Sequence, residues 1–297
     1  MLKRLKLGQK LGLVATILIA ASLFLIYQLY SIVNTSVIAF IQKEVHGIIY
    51  IEQIAPLNRM MQLHRGTMNV VLNGDLTGET KLKEIRASAS EQLKLFVAID
   101  KLYGQELEVE LEARRLQALA LALLTNAREM PPEESWRKHT DLNESLVAMI
   151  RKIADTSNLI LDGDLRSYTL MAIVAVGAPP LLEEMGQIRG ISGGIAAKKV
   201  KTPIQQANLE RLLFELQFAQ RTQLTYIQDA LQYNPGIKAL KDIETRNQAV
   251  TAFVALIKRE IVNKDAADIT LLGSEIFAQS TAIIAPYWAD FEEIAPI

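Results

Sequence analysis

The sequence predicts an all-α protein: an N-terminal transmembrane helix followed by an extracytoplasmic antiparallel helical bundle. Three observations carry that prediction. From Leu11 to Gln42 no residue is charged, and roughly 20 apolar residues suffice for a helix to cross a hydrocarbon core of about 30 Å. Beyond that run, apolar residues recur at alternating steps of three and four, the spacing of helices packed side by side. No window of comparable length alternates with period two, so nothing supports a sheet. Composition agrees, because fifteen glycines and nine prolines in 297 residues are few for a loop-rich β fold, and a chain half hydrophobic is not wholesale disordered.

Residues 1–10 hold Lys3, Arg4, Lys6 and Lys10 and no acid, and form a basic stub. Residues 11–33 form the anchor, with Tyr27 and Tyr30 near its far end, where interfacial aromatics belong. Positive-inside bias leaves the stub in the cytoplasm and exports residues 34–297. A cleaved signal peptide is the competing reading. Its apolar core spans about 7–15 residues before a small-x-small site; Ala20-Ala21-Ser22 offers such a site, but the apolar run continues well beyond it.

The exported part divides into helices at about 36–73, 78–103, 105–129, 132–161, 164–176, 180–199, 203–233, 236–262 and 267–293. Pro56 falls inside the first and is expected to kink it. Asn73-Gly74-Asp75 closes it, and Gly104 separates the next two. Leu82, Ile85, Ala89, Gln92, Phe96, Ile99 and Tyr103 form the seam of the second helix; Val109, Ala113, Leu116, Ala120, Leu123 and Ala127 form that of the third. Pro131-Pro132-Glu133-Glu134 opens the fourth, where the missing N–H and the helix dipole suit prolines and acids. Asp162-Gly163-Asp164 and Gly177-Ala178-Pro179-Pro180 bracket a short central helix. Thr202-Pro203 and Asn234-Pro235 each offer an N-cap followed by a proline at the first helical position. Leu240, Ile243, Asn247, Val250, Val254, Ile257 and Ile261 form a further seam, and 263–268 is the last break. So many helices exceed one four-helix bundle, and two stacked four-helix modules sharing long helices are expected.

The absence of cysteine removes disulfides, thiolate metal sites and cysteine nucleophiles. His46, His64 and His139 are widely separated, which leaves little for a histidine metal site, and a net charge of −1 suggests no nucleic-acid partner. Asp162 and Asp164 flank a glycine, but the twelfth position of a calcium loop counted from Asp162 is Ile173 rather than glutamate. Asp164 as an N-cap is the better account. Gly190, Gly193 and Gly194 follow no strand and form no nucleotide loop; small residues there allow close approach. No G-x-S-x-G, Walker or H-E-x-x-H pattern occurs. Neither an enzyme nor a cofactor or metal is expected.

What chemistry there is lies in arginines on apolar rows. Stepping from Ile54 gives Asn58, Met61, Arg65, Met68 and Leu72, which puts a guanidinium in the middle of a seam. Burying it costs several kcal/mol unless something pairs with it. It is therefore paired with an acid of a neighbouring helix, snorkels to the surface, or receives an anion with its planar fork of donors. Arg189, in line with Leu182, Met185 and Ser192, poses the same question. So does Arg221, which follows Phe214 and Phe218.

Three stretches carry a resemblance: Leu63-His64-Arg65-Gly66, Thr156–Met171 (TSNLILDGDLRSYTLM, with Tyr168) and Leu181–Gly190 (LLEEMGQIRG). With them the chain resembles the N-terminal anchor and periplasmic all-helical sensor region of bacterial transmembrane receptors, a type found in methyl-accepting chemotaxis proteins, sensor histidine kinases and diguanylate cyclases. The Arg-Gly on the first helix is also similar to that of nitrate- and nitrite-sensing helical domains. The resemblance implies an inner-membrane protein with its bulk in the periplasm, working as a homodimer. It further implies a second span and an output module beyond Ile297. In the nitrate-sensing pattern two arginines hold the anion, which corresponds to Arg65 and Arg221. The expected site for a small carboxylate or nitrate-like anion is Arg65, Arg221, Arg189, His64, Asn58 and Tyr168. The alternative is a membrane-anchored helical scaffold that binds another envelope protein, which an exposed apolar helix face would favour.

Overall fold

The computed structural model describes residues 6–161 and 163–296, with the backbone alone at 243–245. Lys3, Arg4, Asp162 and Ile297 lie outside the described residues, and the side chain of Ile243 does too. Among the described residues the chain is helical with no strand, as the periodicity predicts. Eight continuous helices make it up: α1 (Leu7–Leu72), α2 (Glu79–Tyr103), α3 (Glu110–Asn126), α4 (Pro132–Thr156), α5 (Leu165–Lys198), α6 (Pro203–Tyr233), α7 (243–262) and α8 (Gly273–Ile294).

The first departure from expectation is continuity. The segments expected as an anchor at 11–33 and as a separate helix at 36–73 are one helix of 66 residues, about 100 Å long at 1.5 Å per residue, with a wide π turn at Val33–Val37. Pro56 lies inside it without ending it. The helices expected at 164–176 and 180–199 are likewise one. Gly177-Ala178-Pro179-Pro180 does not break α5, because a π turn over Ala172–Gly177 precedes the prolines. The Ala178 N–H there donates to the Ile173 carbonyl, five residues back, and such an insertion displaces carbonyls that prolines cannot serve.

Other boundaries follow local chemistry. Asp164 caps α5, accepting from the Arg166 N–H at 2.9 Å. Thr202 caps α6 and shares a capping box with Gln205. Asn234 is not an N-cap. It closes α6, and its carboxamide donates to the Arg166 carbonyl at 3.0 Å; α7 begins only after a 3₁₀ turn at Lys238–Leu240. The fourth helix ends at Thr156 and the last starts at Gly273, each next to a short 3₁₀ turn that sequence periodicity absorbs into the helix.

None of the residues of Leu7–Ile32 is buried, whereas the second half of α1 is buried along its seam: Ile54, Asn58, Met61, Arg65 and Met68 are each at most 1% exposed. That half packs against α2, α4 and the second half of α5. Helix α2 contacts α3, and α3 contacts α4; α5 contacts α6 and α8, and α7 contacts both α6 and α8. At the far end of α1, Asp75 accepts from the Ser274 N–H at 2.8 Å and ties down the start of α8. At the other end, Ile294 and Ala295 line a groove with Ile41, Val45 and Ile48. Helix α8 therefore runs antiparallel to α1.

Candidate functional site

The middle of the molecule holds a buried polar layer where α1, α4, α5 and α8 meet. Helical spacing builds it. Asn58, Gln62 and Arg65 share one face of α1, and Glu183 and Gln187 stand one turn apart on α5. The backbones approach closely enough because both helices carry glycine at the crossing: a Cβ on Gly190 would lie 2.6 Å from the Trp136 ring and 3.4 Å from the Gly66 Cα.

Arg65 is 1% exposed and makes a two-pronged ion pair with Glu183, Nη1 to Oε1 at 2.5 Å and Nη2 to Oε2 at 3.2 Å. Its Nη1 also reaches the Thr140 hydroxyl at 3.3 Å, and its Cζ sits 5.0 Å from the centre of the Trp136 ring. Gln187 donates to Glu183 at 2.9 Å. Burial pushes the Glu183 carboxyl up, and Arg65 opposes that shift; a guanidinium and a carboxylate in bidentate contact form a neutral unit.

His64 and His139 form a second unit. The His139 Nδ1–H donates to the Ser135 carbonyl at 2.7 Å, so its Nε2 is the acceptor for the His64 Nδ1–H at 2.8 Å. These tautomers are assigned from the network. The His64 Nε2 is left without a partner. Burial holds both rings neutral, with His139 pushed down to about 4 and His64 also well below the usual range. Asn58 donates to the Asn143 carbonyl at 3.2 Å and accepts from Gln62 at 3.0 Å.

Arg189 differs from all of these. It is 2% exposed, and among the described residues no carboxylate forms an ion pair with it. Its Nη1 donates to the Thr281 hydroxyl at 3.1 Å, its Cζ lies 4.6 Å from the centre of the Phe277 ring, and its Nε has no partner. Burial first, and the Arg65 charge next, push the Arg189 guanidinium down to about 9, which still leaves it charged at neutral pH. A buried, unpaired cation costs several kcal/mol. Among the described residues, the layer's two guanidinium groups share one ion-paired carboxylate, Glu183, which is in bidentate contact with Arg65 and reaches Arg189 only through its field.

The structure brings together four of the six residues expected at the site: Asn58, His64, Arg65 and Arg189. It does not bring in the other two. Arg221 is exposed on α6, since the apolar residues before it, Phe214 and Phe218, point to solvent rather than into a seam. Tyr168 is exposed at the start of α5. Sequence reasoning missed Glu183, His139 and Trp136, which come from other helices. The one available signal for Glu183 was an acid inside the apolar run that follows Pro180. Among the described residues, no group of three or more metal-ligating side chains could hold an ion.

These features define an all-helical protein with a long apolar N-terminal helix and a buried polar layer. In comparisons with known proteins, no family model, no curated protein and no solved structure matches the chain.

Proposed function

We propose that this chain is the anchor and extracytoplasmic ligand-sensing region of a bacterial inner-membrane receptor. It binds a small anion in the α1/α4/α5/α8 layer and relays a helix shift toward the membrane. The observation that carries this reading is Arg189, a buried guanidinium with no ion-pair partner among the described residues. An anion bound there would stabilise the fold by RT ln(1 + [L]/Kd), about 2.7 kcal/mol at a hundredfold excess over Kd. The relay is supported by α1, one continuous helix from Leu7 past Arg65, and by α8, which links Thr281 to the groove beside Ile41 and Val45. Arg65, committed to Glu183, holds the layer together, and the anion falls to Arg189. On the same reading the contacts of 38–72 with α2 and α4, those of α3 with α2 and α4, and those among α5 to α8 correspond to two four-helix modules joined where α1 crosses α5, and the receptor works as a homodimer.

The test is a thermal-shift screen of nitrate, acetate and other small organic acids on the full chain in lipid nanodiscs. At least one anion should raise Tm, and Arg189→Met should abolish that rise. In the absence of ligand the same substitution should leave Tm unchanged or raise it, because it removes a buried charge with no ion-pair partner among the described residues. A marked fall in the ligand-free Tm, with no anion shifting the unmodified protein, would make Arg189 a structural residue.

One observation favours the scaffold alternative. Phe214 and Phe218 stand one turn apart on α6, 75% and 74% exposed, and exposed aromatics beside arginine are common at protein interfaces. If that reading holds, Phe214→Ser with Phe218→Ser abolishes capture of an envelope partner and leaves the Tm unmoved by any anion.

A further inference from the structure

The wall that shields Arg189 is also the wall of a groove. Between α1, α2 and α8, near the far end of the bundle, a groove of about 450 Å³ is lined mainly by apolar atoms: Leu63 from α1, Ile85 from α2, and Phe277 and Ala282 from α8. That volume falls in the range of small-molecule sites. Four hydroxyl side chains also line it, Thr67, Thr77, Ser274 and Thr281, together with Lys81, which pairs with Glu84; Thr77 and Ser274 hydrogen-bond each other. Thr67 is 3% exposed and its Oγ1 has no hydrogen-bond partner. Thr281 accepts from Arg189 and donates to the Phe277 carbonyl at 2.7 Å. The two residues that touch the guanidinium, Phe277 and Thr281, thus face the groove as well. A bare inorganic anion would use none of the apolar wall, and a neutral hydrocarbon would leave both the cation and the Thr67 hydroxyl unserved.

We propose that this groove takes the apolar body of a small monocarboxylic acid of about six to eight carbons, with the carboxylate reaching Arg189 beside Thr281 and the Thr67 hydroxyl donating to it. The proposal rests on the anion-sensing reading above and adds the ligand's class. Such a ligand lies between α1 and α8, the two helices that run from the layer to the groove beside Ile41 and Val45, so occupancy sets their separation directly.

The test uses the full chain in lipid nanodiscs, with empty nanodiscs as the partition blank, and titrates acetate, butyrate, hexanoate, nitrate and hexanol by calorimetry. Each methylene taken into the groove should tighten binding by up to about fourfold, the equivalent of about 0.8 kcal/mol per buried CH₂. Hexanoate should therefore bind far more tightly than acetate, and hexanol only weakly. Ala282→Phe, which fills the groove from the α8 wall, should leave acetate unchanged and remove the gain with chain length. Ala278→Leu, at a neighbouring wall position, does the same independently should the first variant misfold by circular dichroism. Arg189→Met should abolish binding of every carboxylate. Anion binding with no dependence on chain length, or a chain-length gain that survives both groove variants, overturns the groove assignment while leaving the anion reading standing. Hexanoate affinity unchanged in Arg189→Met overturns the head-group assignment. Binding of neither acetate, nitrate nor hexanoate overturns both this proposal and the anion-sensing reading.

Discussion

At the scale of single residues, the buried layer separates charges that are paired from one that is not, and mutation should tell them apart. Arg65 and Glu183 are a matched pair, so removing one partner strands the other. Arg65→Ala should lower unfolding stability by about 3–5 kcal/mol in urea titrations, whereas Arg65→Met with Glu183→Leu should recover most of that loss. The histidines supply a pH dependence whose sign is fixed by burial. His139 is held at about 4 when folded but titrates near 6.5 in the unfolded chain. The unfolded state therefore binds the extra proton between those values. Stability is full above about 6.5 and falls as pH drops toward 4, by up to about 3 kcal/mol. Glu184 runs the other way: burial first, then Glu215, push its carboxyl up to about 7, so its ionisation costs stability as pH rises toward 7. The difference in acid unfolding between the unmodified protein and His139→Gln isolates the histidine. A difference that does not change between pH 7 and pH 4.5 would show that His139 is not held neutral.

At the scale of elements, helix crossings are set by glycines, and helix continuity by how prolines are accommodated. A Cβ at Gly190 meets Trp136 at 2.6 Å, and Trp136 is itself held against Arg65. Gly190→Ala should destabilise by about 1–3 kcal/mol through overpacking, even though alanine is the better helix former by about 1 kcal/mol. Gly236→Ala, where nothing lies within 4 Å, should be nearly neutral in the same chemical-denaturation assay. On α1, Val37, Ile41 and Val45 are exposed in the single chain, a helical row available to a second copy. Cysteines placed along that row, in a chain that has none, should crosslink between subunits in membranes with a periodicity of three to four residues. Uniform failure to crosslink would argue against the homodimer.

At the scale of the whole molecule, the first two-fifths of α1 differ in kind from the rest. Leu7–Ile32 is apolar on every side and none of it is buried, whereas the second apolar stretch, Leu165–Lys198, is two-thirds buried within the fold. The first is suited to lipid, and the second behaves as a core helix. With Lys6 and Lys10 at its start, the apolar helix should orient the chain with its bulk outside the cytoplasm. A reporter fused after residue 297 should be active in the periplasm, and the protein should fractionate with membranes. A mature N-terminus near Ser22 would defeat the anchor.

The sequence by itself determined what depends on local chemistry. The charge-free run marks the apolar N-terminal helix, and the three-four spacing marks the buried faces: Val109, Ala113, Leu116, Ala120, Leu123 and Ala127 all lie inside. Asp164 and Thr202 are N-caps because a short side-chain oxygen can serve an N–H two or three residues on, whatever the rest of the molecule does. The same local reasoning failed at Asn234 and at Pro179-Pro180. There the outcome turned on the Arg166 carbonyl across the bundle and on a π turn that lets α5 run on. Tertiary structure alone decided the site. A periodic row can put Arg65, Arg189 and Arg221 on helix faces, but it cannot say which face meets which helix. Whether a guanidinium finds Glu183, finds only Thr281 and Phe277, or finds water is a property of the crossing, and burial without an ion-pair partner among the described residues is what makes Arg189 chemically distinct.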